Sequence, residues 1–310
     1  MLIMLNSCYT DFIMEEKKCA LVVIIGRPSA GKSTFLNAAC QENVSIVSPI
    51  PQTTRNAIRG IVNTSLGQLV FVDTPGYHKS EKKLNLILQQ TAKDQLEGAD
   101  AVLYLIDSTR EGGEEEALIA DLVRPYAQKT IVAINKCDAP GSSPMSCRSF
   151  VGQALPELPS GRVLEISAKT DEGVEGLLRA LYAIAPSQPN LYPEGFYTDQ
   201  EVEFRIAEVI RGEAINRLEQ EIPHALYVDI ADAEFKNDGK KLWVRAFLCV
   251  ERESQKGIVI GKGASMIKTI RMESLKKLSE IFEYKIDLDL QVKVDKNWRQ
   301  KDDRLSRLLK

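Results

Sequence analysis

Histidine is nearly missing from this 310-residue chain, which has only His78 and His224. Its six cysteines (Cys8, Cys19, Cys40, Cys137, Cys147 and Cys249) include no C-x-x-C pair. That poverty excludes a zinc centre, and unpatterned cysteines give no disulfide framework; they read as the reduced thiols of a cytosolic protein. No uninterrupted apolar run approaches about 18 residues, so no transmembrane helix is expected. The N-terminal stretch has no basic start, and Asn6, Ser7 and Asp11 break its apolar residues, which argues against a cleaved signal peptide. Residues 1–16 read instead as a poorly ordered extension, with Met14 an alternative start. Neither sign of charge dominates, at 40 basic against 43 acidic side chains, so net charge selects no class of partner. No internal repeat is visible.

What is present divides the chain in two. Up to Ala185, short apolar runs (Leu21–Ile25, Leu69–Val72, Ala101–Ile106, Thr130–Ile134, Val163–Ile166) alternate with amphipathic stretches. Strands separated by helices predict an α/β domain over 17–185, a mostly parallel sheet with helices on both faces. The stretch APSQPNLYP, with three prolines, marks a linker over 186–198. A smaller α+β domain is expected over 199–310. It reads as a helix (Asp199–Glu221), strands Leu226–Ala231 and Leu242–Val250 around an Asn237-Asp238-Gly239 turn, a helix over Ser265–Phe282, and a last strand alternating through Ile286, Leu288, Leu290, Val292 and Val294.

The first domain carries a phosphate site. GRPSAGKST follows an apolar strand and precedes a helix, the context that the G-x-x-x-x-G-K-[ST] motif requires. Gly26, Arg27, Pro28, Ser29, Ala30, Gly31, Lys32, Ser33 and Thr34 would wrap nucleotide phosphates with main-chain N–H groups and a helix N-terminus. Lys32 would neutralise the β and γ oxygens, and the Ser33 hydroxyl would bind Mg²⁺. In DTPG (Asp73, Thr74, Pro75, Gly76), Asp73 would hold Mg²⁺ through water and the Gly76 N–H would sense the γ-phosphate. In NKCD, Asn135, Lys136 and Asp138 end another strand; the Asp138 carboxylate can accept two guanine N–H donors that adenine lacks. In SAK (Ser167, Ala168, Lys169), a main-chain N–H would meet guanine O6. Between these motifs, PQTTRNAIRG offers a threonine to complete the Mg²⁺ shell, Thr54 ahead of Thr53. The catalytic set is therefore Lys32, Thr54 and Gly76, the metal set Ser33, Thr54 and Asp73, and the cofactors GTP or GDP with Mg²⁺. Where Ras-like enzymes place a water-orienting glutamine, Tyr77 and His78 stand, so slow intrinsic hydrolysis is expected; His78 reads as an exposed loop residue rather than a base.

The second domain carries IVIGKGASMIKTI. The order helix–strand–strand–helix–helix–strand around this turn is the type II KH arrangement, whose G-x-x-G loop clamps single-stranded RNA. Lys256, Ile260, Gly261, Lys262, Gly263, Ala264, Lys268 and Arg271 form the expected RNA face, inside a stretch (252–277) with seven basic and two acidic side chains. Ala264 replaces the second glycine. It is expected to take a helical φ, with the turn's conformational freedom moved to Gly263.

GRPSAGKST, PQTTRNAIRGI, FVDTPGYH, NKCD, ISAK, EIPHAL, VERESQKGIVIGKGASMIKTI and VKVDKNW together resemble the Era family of ribosome-assembly GTPases, over Lys17 to the end. The resemblance implies a monomeric GTP switch that binds the 3′ end of 16S ribosomal RNA in the small ribosomal subunit during its maturation. It also implies a peripheral association with the inner face of the cytoplasmic membrane. Related P-loops carry an asparagine tied to potassium-stimulated hydrolysis; here Ser29, with a shorter side chain, weakens the expectation of K⁺. The alternative reading is a membrane-attached signalling GTPase whose C-terminal domain binds protein or anionic lipid. In that case the basic stripe matters and the Gly-Lys-Gly turn does not.

Overall fold

The computed structural model describes residues 17–51, 53–77 and 83–309. The expectations for residues 1–16 and for His78 fall outside the described residues. The first sheet forms from runs whose side chains are apolar on both faces: β1 (Lys18–Ile25), β3 (Gly67–Asp73), β4 (Ala101–Asp107) and β5 (Thr130–Asn135), with the short β6 (Val163–Glu165) at one edge. All pair in parallel, and β2 (Ile58–Thr64) pairs antiparallel with β3, giving the order β2-β3-β1-β4-β5-β6. Alternate residues of β1 feed two cores. Val22 and Ile24 meet Phe35, Leu36, Leu177 and Leu181 from α1 (Lys32–Cys40) and α5 (Val174–Ile184). Val23 and Ile25 meet Leu96, Ile119, Val123 and Val151 from α2 (Lys83–Glu97), α3 (Glu114–Val123) and α4 (Pro144–Ala154). GRPSAGKST, DTPG, NKCD and SAK each follow the end of a strand of this sheet, which gathers them on one rim.

β2 was not foreseen. IRGIVNT has a glycine at its centre and a polar end, and only its pairing with β3, through the turn at Ser65-Leu66, makes it a strand. The proline-rich stretch also differs from a loose linker, because it is stitched along the first domain. Pro186 O accepts from Cys19 N (3.1 Å) and Tyr197 O from Ile61 N (2.9 Å). Gln68 and Tyr192 exchange two bonds of 2.9 Å, and the Thr198 hydroxyl donates to Arg59 O. The segment thereby covers the exposed edge of β2.

The second domain has α6 (Val202–Ile215), a one-turn α7 (Ile222–Ala225), β7 (Tyr227–Lys236), β8 (Lys241–Val250), α8 (Glu253–Ile260), α9 (Ser265–Ile281) and β9 (Lys285–Val294), followed by α10 (Asp302–Leu308). The helix expected over Asp199–Glu221 is shorter than the sequence pattern suggested. β7 and β8 are antiparallel and β8 and β9 parallel. One face of this sheet is sealed by Ile206, Ile210, Val259, Ile270 and Leu278 from α6, α8 and α9. A separate cluster joins the domains: Leu84 and Leu88 of α2 pack with Tyr227, Cys249, Trp298 and Leu305.

Candidate functional site

The turn from β1 into α1 builds the first part of the site. Gly31 has φ +95°, and a Cβ there would lie 2.3 Å from Asn135 Nδ2, so only glycine fits. Asn135 uses its close approach: Nδ2 donates to Ala30 O (2.9 Å), while Oδ1 accepts from Ala168 N (2.9 Å). One side chain thus ties the phosphate turn to the SAK loop. Beside it the Ser167 hydroxyl donates to Asp138 Oδ1 (2.6 Å), aiming that carboxylate, and Lys136 Nζ pairs with Asp107 (2.7 Å). Within SAK, Ser167 N donates to Glu172 O (2.9 Å) and Ala168 N to Asn135 Oδ1 (2.9 Å).

A cavity of about 460 Å³ lies over this turn, lined by Pro28, Ser29, Gly31, Lys32, Ser33, Thr34, Ile46, Ile50, Thr53, Thr54, Gly76 and Lys136 among others. It falls in the size range of small-molecule sites. Lys32 Nζ donates to Gly26 O and Arg27 O, both at 3.1 Å. Burial pushes its ammonium pKa down, against the opposing pull of Asp73 and Glu116. Such a desolvated ammonium gains from an anion placed beside it.

Asp73 is fully buried, and three hydroxyls converge on its Oδ2: Ser33 at 2.6 Å, Ser45 at 3.0 Å and Thr54 at 3.4 Å. Ser33 and Thr54 are 3.1 Å apart. Burial raises the Asp73 carboxyl above the usual range, while Lys32 and the three hydroxyls hold it down. Its Oδ1 is buried without a hydrogen-bond partner among the described residues. A carboxylate with one open oxygen, ringed by hydroxyls beside a phosphate turn, is the oxygen-rich donor set that Mg²⁺ takes with substrate phosphates. The residues therefore fit that ion. Sequence reasoning missed Ser45, which stands outside any motif; only the return of its loop, pinned by Asn37 to Val44 N and Ser45 N, brings it to Asp73.

Not every expected residue faces the cavity. The Arg27 guanidinium turns away to pair with buried Glu116, which also accepts from Tyr104 OH (2.5 Å), so Arg27 holds the turn against α3. The Thr74 hydroxyl caps β1 by donating to Ile24 O (2.7 Å). Tyr77 is bonded through its N–H to Gly26 O (3.4 Å) and packs against the core under α3 and α4. It stays half-buried there.

In the second domain, α8 ends at Gly261, with φ 74° and ψ 168°, a conformation essentially reserved for glycine. A Cβ there would also come within 2.8 Å of Met266. Gly263 is left-handed, at φ 59°, as expected. Ala264 is not helical: φ 61° and ψ 27° put it in the left-handed region too, because the chain must reverse twice before α9 starts at Ser265. Lys262 and Lys268 are exposed beside the turn, with Lys256 and Ile260 half-buried. Arg271 Nε donates to Leu288 O (2.6 Å), fixing α9 to β9, while its side chain stays 40% exposed with the remaining donors directed outward past Asp287 (3.9 Å).

With this geometry in view, comparisons with known proteins agree. Residues 21–136 match the family model described as 50S ribosome-binding GTPase, and residues 221–299 match the KH domain. A GTPase Era of Treponema denticola is 58% identical over 93% of this chain and 98% of that protein. One from Borrelia garinii is 40% identical over 94% and 99%. Among solved structures, a point variant of Aquifex aeolicus Era bound to GDP·AlF4⁻ superposes with a TM-score of 0.88 at 30% identity, covering 94% of this chain and 98% of that one. Era in complex with MgGDPNP and nucleotides 1506–1542 of 16S ribosomal RNA gives 0.89, at the same identity and coverage. A P-loop GTPase domain followed by a KH domain, matched end to end by these relatives, places the chain in the Era family of GTPases.

Proposed function

We propose that this chain is a GTP-hydrolysing switch that grips single-stranded RNA near the 3′ end of 16S ribosomal RNA and serves the maturation of the small ribosomal subunit. The observation that carries the reading is the whole-chain likeness, at a TM-score of 0.89, to an Era structure holding both MgGDPNP and that RNA segment. The site geometry supports it. Lys32 and the main-chain N–H groups after Gly26 would bind the phosphates, and Asp138, held by Ser167, would read guanine. Ser33, Thr54 and Asp73 would hold Mg²⁺, which when bound would neutralise charge on the γ-phosphate during its transfer to water. Thr54 and Gly76 close the cavity at the γ end. Hydrolysis is slow, because Tyr77 follows Gly76 and its phenol does not orient water as the glutamine amide of Ras-like enzymes does. Ser29 is left-handed, at φ 64°, and its side chain is shorter than the asparagine tied to potassium in related P-loops, so K⁺ contributes little.

Gly261, Lys262 and Gly263 would let the RNA backbone approach, with Lys256 and Lys268 meeting phosphates. The chain acts in the cytoplasm, with a peripheral membrane fraction; among the described residues no helix is long and apolar enough to span a membrane. The test is binding of an RNA fragment matching the 3′ end of 16S rRNA, measured with a GTP analogue and with GDP. Tight binding that differs between nucleotides is expected. No affinity at low salt in either state overturns the reading and favours a lipid- or protein-binding C-terminal domain.

A further inference from the structure

Thr54 and Arg55 are neighbours that face opposite ways. Thr54 reaches Ser33 and Asp73, while Arg55 crosses into the second domain, where Nη1 donates to Leu226 O (2.7 Å) and Nη2 to His224 O (3.1 Å). The carbonyl between those two, Ala225 O, accepts from the Trp298 indole (2.8 Å), and the Arg55 guanidinium lies over that indole, 5.3 Å from its centroid. Three successive carbonyls at the end of α7 are thus taken by two side chains, one of them from the other domain. The same alternation occurs at the start of the segment. Ser45 turns to Asp73, while on either side of it Val44 O accepts from Gln200 (3.0 Å) and Ile46 rests on α6. The fit there is close: a Cβ at Gly212 would lie 3.3 Å from Ile46 Cγ2.

We propose that Arg55 is a positioning residue that makes closure of Thr54 over Asp73 and docking of the KH domain a single event, with residues 44–46 and 53–55 bridging the two. The guanidinium is half-buried between the domains, held by two main-chain carbonyls and the face of Trp298. Such a group is costly without acceptors, so an arginine half out of its socket is disfavoured against both the seated and the solvated states. Seating it fixes the backbone at residue 55, one peptide from the threonine that would bind Mg²⁺. By linkage, whatever holds Thr54 in place then favours the docked domain, and whatever holds the domain favours Thr54. This inference rests on the proposed function, whose bound nucleotide it couples to bound RNA.

Two variants test it. Arg55→Met keeps the length and removes the donors, and Arg55→Lys keeps the charge without the two-pronged geometry. The first measurement is the ratio of RNA affinities with GTP analogue and with GDP. The wild-type ratio is expected between about five- and 150-fold, the usual range of allosteric coupling. Both variants should bring it below about twofold while GDP affinity stays within about threefold, a control for folding. Should the wild type bind no RNA, the functional reading falls and the latch is judged by a second measurement. This is hydrogen exchange of residues 298–309 in the two nucleotide states, without RNA. Greater protection with the analogue in the wild type, lost in both variants, supports the latch. An unchanged ratio or an unchanged protection difference in the variants overturns it, as does a wild type whose ratio or protection is the same in both states.

Discussion

At the scale of single residues, Ala264 departs from its expected role. The sequence suggested an alanine opening a helix; the backbone instead holds it left-handed, where a Cβ crowds the following carbonyl at roughly 1–2 kcal/mol. Ala264→Gly should therefore stabilise the protein by about 1 kcal/mol in chemical denaturation, with RNA affinity changed by less than about tenfold. Lower stability in that variant would show that the turn relaxes in solution. Asp138 offers the opposite case, since the residue type alone pointed to guanine and the Ser167 bond explains its aim. Asp138→Asn replaces an acceptor with a donor opposite guanine N–H groups, so GTP affinity should fall by about 10³-fold or more, read by nucleotide titration. Retained affinity would refute the assigned role.

Among the elements, the C-terminal α10 and β9 are joined by one carboxylate. Asp295 accepts from Tyr227 OH (2.7 Å) and Lys301 (2.6 Å), with Arg304 at 3.1 Å. Burial opposes its ionisation, but those hydrogen bonds and the two cations prevail and hold the carboxyl below the usual carboxylate range. A depressed folded pKa means that the stabilisation is present above the unfolded value, about 3.9, and is lost as pH falls through the folded one. Asp295→Asn should lower stability at neutral pH by about 2 kcal/mol and flatten the acid limb of the stability–pH curve below about pH 4. A variant with an unaltered acid limb would contradict that role. The elements also show why β2 escaped notice: its residues are those of a polar loop until β3 pairs with them. The nearly uniform apolar runs of β1, β4 and β5 needed no such partner to be read.

For the whole molecule, the two domains meet along two seams. One is formed by Val44, Ile46 and Arg55 against α6, the residues just before it, and α7. The other is α2 against Trp298 and α10. The first seam adjoins the cavity, which Ile46 and Thr54 help to line, so the proposed nucleotide site lies beside the second domain. In the RNA titration proposed above, affinity should fall log-linearly with salt, at about 0.7 per phosphate contact for single strands. Lys256, Lys262, Lys268 and the part-exposed Arg271 are the cations beside the turn that should set the slope.

The chain's own residues determined the fold class, the phosphate turn, the guanine motifs and the glycine turn, because each rests on local rules of backbone freedom, side-chain chemistry or strand and helix periodicity. What needed the tertiary structure were contacts between residues far apart in sequence. Ser45 joined Asp73 only when its loop folded back, and Arg27, Thr74 and Arg271 found internal acceptors that spacing does not encode. Ala264 took a strained φ at the step from the glycine turn into α9, a backbone path that residue type alone does not encode. Arg55, an ordinary loop cation in the sequence, became the pin between domains because its acceptors lie about 170 residues away, brought within hydrogen-bond reach only when the two domains pack.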